Sequence, residues 1–265
     1  MSLVWSAHIS WLFAERPYSQ RVQAARAAGF RWIESAWPQA LADREQLPAS
    51  VSEQGVEVAL LNCPAGAVDR GERGFANDPT RRVELEQAFL AAAALAQRIG
   101  AAKLNLLVGR KLADVRVERQ RAAVVAALRA IAPEAADRGL QIVIEPLNAI
   151  ENPGYLAPTP TDALELIEAV GSDALELLLD VYHVARAGGD PLAELERCAG
   201  LIGHVQLADF PGRGQPGSGS LDVRGILERL DASGYTGAVG LEYEPRGSSE
   251  ESLAFLQGGA LPVSF

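Results

Sequence analysis

Four apolar runs in this chain end on, or next to, a side chain that can donate oxygen to a cation. They are QIVIEPLN with Glu145, LLLDVYH with Asp180, HVQLAD with Gln206 and GLEYEP with Glu242. A charge at the end of an apolar run is costly to bury unless something pairs with it. Three carboxylates and an amide oxygen are hard donors. They suit Mg²⁺ or Mn²⁺, with water or substrate filling the remaining positions. Zinc would draw histidine or cysteine, and neither type holds any of the four places. Each residue also has an ordinary reading. Glu145 could be a surface residue or an arginine partner, Asp180 a turn or helix cap, and Gln206 a satisfied polar residue. Glu244 competes with Glu242, because strand alternation puts both on one face, although Pro245 suggests that the strand has ended by Glu244. Two more candidates lie close by. His183 follows Asp180 by three residues and favours a substrate contact over a structural role. Arg213 sits in the glycine-dense PGRGQPGSG, either a surface loop or a cover over a small ligand.

The four donors can meet only if the elements carrying them are neighbours. Short apolar runs alternate with longer amphipathic ones along the chain. The expected strands are Val4–Ile9, Arg31–Glu34, Glu57–Leu61, Lys103–Leu107, Gln141–Glu145, Leu175–Asp180, Ile202–Leu207 and Ala238–Glu242. Helical patterns between them include Ser19–Ala28, Pro79–Ile99, Val115–Asp137, Thr161–Val170, Pro191–Cys198 and Asp222–Ala232, with a further helix from near Ser248 through Phe255. TPTDALELIEAVG offers Thr161 as an N-cap and Gly171 as a stop. Strands alternating with helices of this length pair in parallel. Eight such units in 265 residues fit an α/β fold, a (β/α)8 TIM barrel, whose chemistry sits at the C-terminal ends of the strands. A doubly wound open sheet is the rival, but no GxGxxG follows the first strand. No linker or shift in composition divides the chain, so residues 1–265 read as one domain.

Composition narrows the function. The chain is 48% hydrophobic and 22% charged, which fits a globular protein. A net charge of −10 would repel a phosphate backbone and argues against nucleic-acid binding, though not against a small anion held by one local cation. The two cysteines, Cys63 and Cys198, form no framework and point to a reducing compartment. The N-terminus lacks the pattern of a signal peptide, and no apolar run is long enough to span a bilayer. A cytoplasmic enzyme without a membrane segment is expected. Trp5, Trp11 and Trp37 near early strand ends either narrow a pocket or fill the core.

Six stretches carry a more specific resemblance: PAGAVDRGERG (64–74), LNLLVGR (104–110), IEPLN (144–148), LLLDVYH (177–183), GHVQLADFPGRGQPGSG (203–219) and GLEYEP (240–245). Over nearly its whole length the chain resembles the hydroxypyruvate isomerase family of the xylose-isomerase-like barrel superfamily, which also includes ketose 3-epimerases. It departs from the family pattern at AHIS, which places His8 and Trp11 after strand 1, and at Leu61-Asn62 before PAG. The resemblance implies a metal held by Glu145, Asp180, Gln206 and Glu242. It makes Glu145 and Glu242 the proton carriers and puts His183 and Arg213 on the substrate, Arg213 through a carboxylate. It further implies a small hydroxy-keto acid or sugar as substrate and allows a homo-oligomer, since members are commonly dimers or tetramers. Four alternatives stay open. They are a ketose 3-epimerase or other sugar-acid isomerase, an inosose-dehydratase-like lyase, a non-catalytic carbohydrate-binding barrel and an apurinic endonuclease. The endonuclease would need several histidine zinc ligands, and the chain has three histidines.

Overall fold

The computed structural model describes residues 3–256. Eight parallel strands close a barrel in chain order. They are β1 (Val4–His8), β2 (Trp32–Ser35), β3 (Glu57–Asn62), β4 (Lys103–Asn105), β5 (Gln141–Ile144), β6 (Leu175–Asp180), β7 (Ile202–Leu207) and β8 (Ala238–Leu241). The helices between them are α1 (Tyr18–Ala27), α2 (Leu41–Gln54), α3 (Arg82–Ile99), α4 (Val117–Asp137), α5 (Pro160–Val170), α6 (Val181–Arg186), α7 (Pro191–Arg197) and α8 (Val223–Ala232), with α9 (Ser249–Ser252) after β8. The (β/α)8 expectation holds. Among the described residues no helix is long and apolar enough to cross a membrane.

Several boundaries differ from the sequence reading. β5 stops at Ile144 and β8 at Leu241, so Glu145 and Glu242 each stand one residue past their strand. Pro146 lacks an N–H to extend the ladder. The pattern did not single out α2, whose middle holds Pro48. The cap of α5 is Thr159, not Thr161. Its hydroxyl accepts from the Asp162 N–H, the Asp162 carboxylate accepts from the Thr159 N–H, and Pro160 takes the first helical position. Gly171 ends α5 at φ 69°, as anticipated. Residues 79–81, expected in the long helix, form a 3₁₀ turn capped by Asp78 before α3 begins.

Two cores result. The large one lies between barrel and helices and takes the outward residues of each strand, such as Leu177, Leu179, Val205, Leu207 and Leu241. The inward residues are mostly polar. Leu60, Val143 and Leu178 form a small separate apolar cluster. Around and above it stand Ser6, His8, Glu34, Asn105, His204 and Gln206, all at most 1% exposed. Buried polar groups are normally hydrogen-bonded, so their partners show what the barrel interior is built to hold.

Candidate active site

Register places the donors side by side. Asp180 of β6 is opposite Gln206 of β7, which is opposite Gly240 of β8, with Glu242 two residues further. Glu145 follows β5, which pairs with β6. Glu145, Asp180, Gln206 and Glu242 are all buried. Glu244 is exposed, so Glu242 is the inward member of that pair.

Asp180 does two jobs. Its Oδ1 accepts from the Tyr182 N–H at 2.8 Å and caps α6, while Oδ2 faces the site. The capping reading of Asp180 is therefore correct but incomplete. Glu145 Oε2 accepts from Asn105 Nδ2 at 2.6 Å. Atoms of Glu145, Asp180 and His183 lie within 4.8 Å of one another, a buried group that could hold a metal ion. His183 lies 3.7 Å from Glu145 Oε1 and 3.6 Å from Asp180 Oδ2 through Nε2. Its other nitrogen, Nδ1, accepts from the backbone N–H of Asn148 at 3.3 Å. A backbone N–H can only donate, so a neutral His183 carries its hydrogen on Nε2. Burial, reinforced by Arg213, holds His183 well below the usual histidine range. The ring is thus a neutral donor aimed into the site, which suits a substrate oxygen better than a cation.

Burial pushes the Glu145 carboxyl well above the usual carboxylate range, and Glu242 and Asp180 add to it; the Asn105 hydrogen bond and Arg213 oppose. Burial likewise pushes Asp180 up to about 7, against the pull of Arg213 and with Glu242 adding to the rise. Crowded like charges resist ionising together. Here Arg213 supplies part of the missing positive charge. Its Nη2 donates to Glu242 Oε2 and lies 3.3 Å from Asp180 Oδ2. The guanidinium stacks 4.3 Å over the Trp11 ring and 5.1 Å over Tyr182.

The Arg213 loop is organised rather than a slack surface loop. Arg213 takes a left-handed φ of 51°, uncommon for a residue with a Cβ. The buried Asp209 carboxylate accepts from the N–H groups of Gly217, Gly219 and Leu221 at 2.8, 3.0 and 3.1 Å, which folds the glycine-rich segment into a fixed turn.

Gln206 offers an observation independent of the carboxylates. Its Nε2 donates to Glu34 Oε2 at 2.9 Å, and its Oε1 is buried without a partner. Glu34 also meets His204 Nε2 at 2.9 Å through Oε1. Burial acts to raise the Glu34 carboxyl, but His204, His8 and the Gln206 amide outweigh it and hold the group below its ordinary value. The ionised Glu34 therefore fixes the Gln206 amide with its oxygen free. Gly240 makes room for this, because a Cβ there would lie 2.2 Å from Glu34 Oε1. An orphaned amide oxygen beside three carboxylates fits a hard divalent cation.

Sequence reasoning missed Glu34 and Asn105, and it marks His8 only as a departure from the family pattern. Glu34 was visible as a carboxylate at the end of β2, but only the ends of strands 5 to 8 were weighed as ligands. His8 Nε2 lies 3.4 Å from Glu242 Oε1. Trp5 packs edge-on against Phe255 in the core, with centroids 6.2 Å apart. Trp11 and Trp37 instead line the cleft with Glu145, His183, Arg213 and Glu242. Cys63 and Cys198 are buried and unpaired.

Comparison with known proteins places this geometry. Residues 22–258 match the family described as xylose isomerase-like TIM barrel. The chain is 35% identical to the hydroxypyruvate isomerase of Escherichia coli over 96% of its own length and 98% of that protein's. It is 30% identical to a 2-oxo-tetronate isomerase of Haemophilus influenzae, again over 96% and 98%. A crystal structure described as an AP endonuclease of family 2 from Brucella melitensis superposes with a TM-score of 0.92 at 28% identity, covering 98% of this chain and 99% of that one. The chain belongs to the xylose isomerase-like TIM barrel family, among relatives named as isomerases.

Proposed function

We propose that this chain, acting as one domain, interconverts hydroxypyruvate and tartronate semialdehyde by proton transfer through a cis-enediolate. The observation that carries this reading is the pairing of two buried glutamates, Glu145 and Glu242, with a third carboxylate and the orphaned Gln206 Oε1 at one end of the barrel. Glu145, Asp180, Gln206 and Glu242 would hold a divalent cation, Mg²⁺ or Mn²⁺. Such an ion, when bound, supplies Lewis-acid polarisation of a carbonyl and charge for a developing oxyanion.

The chain's own residues do the rest. One glutamate takes the proton from the hydroxymethyl carbon of hydroxypyruvate. The other, or the same one, returns a proton to the adjacent carbon, while the hydroxyl proton passes from the first carbon's oxygen to the former ketone oxygen, leaving an aldehyde beside a secondary alcohol. Glu145 and Glu242 line one cleft, so both can reach the carbon atoms of a substrate seated there. His183, neutral with hydrogen on Nε2, donates to an oxygen of the enediolate. Arg213 balances Asp180 and Glu242 and contacts a substrate oxygen from the cleft wall.

One specific observation favours a second reading. The cleft, at about 920 Å³, is far larger than a three-carbon acid needs. A longer 2-keto sugar acid would use the same chemistry, in keeping with the named activity of the H. influenzae relative. An endonuclease reading is disfavoured by the net charge of −10 and by there being three histidines, each of which already faces a glutamate.

The test is proton NMR of metal-stripped protein in D₂O with hydroxypyruvate, before and after Mg²⁺ or Mn²⁺. Tartronate semialdehyde should form with deuterium at the carbon-bound positions only after the metal is added. Turnover of a four-carbon 2-keto acid but not of hydroxypyruvate would establish the second reading. No exchange with either substrate would end both.

Glu34 gives a further expected result. Glu34→Ala releases the Gln206 amide and should weaken Mn²⁺ binding by roughly 10–100-fold, as loss of groups that orient metal ligands typically does. Titration calorimetry checks it, and unaltered affinity would show that Gln206 is not a ligand.

A further inference from the structure

We infer that Arg73 binds the carboxylate of the substrate and makes the cleft selective for keto acids over neutral ketoses. This rests on the keto-acid reading above and extends it, because Arg213, the cation expected on the carboxylate, already faces Asp180 and Glu242. Arg73 belongs to PAGAVDRGERG, the loop after β3, whose residues the proton-transfer machinery does not use.

The loop is built rather than draped. The Glu72 carboxylate accepts from the Ala67 N–H at 2.6 Å and pairs with Arg81 at 2.7 Å. Gly66 adopts φ +83°, and a Cβ there would sit 2.1 Å from Glu72 Oε2. Gly74 adopts φ +85°, and a Cβ there would sit 1.8 Å from the Leu107 carbonyl oxygen. Both glycines are thus required, one for the internal cap and one for close docking on the chain leaving β4. Between these anchors Arg73 lines the same cleft as Glu145, His183 and Glu242.

Its partners single Arg73 out. Nε donates to Asn152 Oδ1 at 3.1 Å, and Nη1 to the carbonyls of Val68 and Glu72 at 3.2 and 2.8 Å. All three acceptors are neutral. Among the described residues Arg73 forms no ion pair and Nη2 has no acceptor, whereas Arg213 is spent on Asp180 and Glu242. Burial and then nearby Arg110 disfavour the Arg73 charge, which Glu145 only partly offsets. A partly desolvated guanidinium held in place by neutral groups, beside a second cation, gains most from an incoming anion. In a chain of net charge −10 such a cation is also what lets an anion approach.

The experiment compares hydroxypyruvate with dihydroxyacetone, which replaces the carboxylate by CH₂OH on the same carbon skeleton, using metal-loaded protein. Calorimetric binding of glycerate, which carries the carboxylate but does not react, runs in parallel. In Arg73→Gln the preference for hydroxypyruvate in kcat/KM should fall by roughly 10–100-fold, mostly through KM, with glycerate affinity falling similarly. Arg73→Lys should recover part of both, which separates charge from folding. Unchanged preference and unchanged glycerate binding in both variants would overturn the inference while leaving the isomerase reading intact. If the parent isomerises no keto acid yet loses glycerate binding in Arg73→Gln, the isomerase reading fails and the carboxylate site stands. A parent that does not bind glycerate overturns the inference.

Discussion

Glu145→Gln and Glu242→Gln should each lower kcat by roughly 10²–10⁴-fold, the usual worth of a positioned general acid or base. The substitution keeps volume and shape and removes the ability to carry a proton. At position 145 the Asn105 Nδ2 donor, now 2.6 Å from Oε2, can still meet an amide oxygen. At position 242 the Arg213 guanidinium loses one of its two carboxylates but keeps Asp180. Neither change should unfold the protein. Each replaces an ionisable group by a neutral one of the same shape in a crowded buried set, so the metal-free melting temperature should hold or rise. The two variants should differ in deuterium exchange. The one lacking the first base should stop washing label into hydroxypyruvate. The other can still exchange the first carbon while failing to form product. Near-normal turnover in both variants would remove the two glutamates from the mechanism.

The barrel was legible because parallel strands buried on both sides read as short apolar runs, and the glycines before them mark helix ends. Boundaries were less legible. Glu145 and Glu242 continue their strands in pattern, but Pro146 and the open barrel rim end the ladder one residue earlier. Thr159 and Thr161 are equally good caps on paper; Pro160 between them decides, because it occupies a helix's first position without a donor to satisfy. α2 was obscured by Pro48, since an interior proline argues against a helix.

The proposed ligand set could be assembled from the sequence because each candidate lies at or next to a strand end and neighbouring strands are sequential. The supporting set could not. Glu34 reaches Gln206 across 172 positions and His204 across 170. Nothing local in TGAVGLEY says that Gly240 is empty space for Glu34. Arg213 is expected on a substrate carboxylate, and the fold adds that its guanidinium also faces Asp180 and Glu242. Its type and loop suggested an anion partner, but only the fold shows which anions are already there.

Stripping the divalent cation should abolish turnover, and restoring it should stabilise the protein by an amount that grows with pH. Asp and Glu side chains in an unfolded chain titrate at about 3.9 and 4.3. In the folded, cation-free protein, burial and Glu242 push Asp180 up to about 7 and hold Glu145 well above its ordinary value. Between the unfolded and folded values the folded form holds the extra proton. These two groups therefore make cation-free stability fall as pH rises through that window. A cation on the ionised carboxylates must displace those protons at the acid end and displaces fewer at the alkaline end. Its affinity should rise about tenfold per pH unit for each proton displaced. The melting-temperature gain from a fixed excess of Mn²⁺ should thus be small near about pH 5.5 and large near about pH 8, since ligand stabilisation follows the ratio of concentration to Kd. Calorimetry near about pH 6, in buffers of different ionisation enthalpy, should show about one proton or more released per ion bound. A gain of equal size at both pH values, with no proton released, would mean that the ion binds away from Glu145 and Asp180, and the proposed ligand set would have to be abandoned.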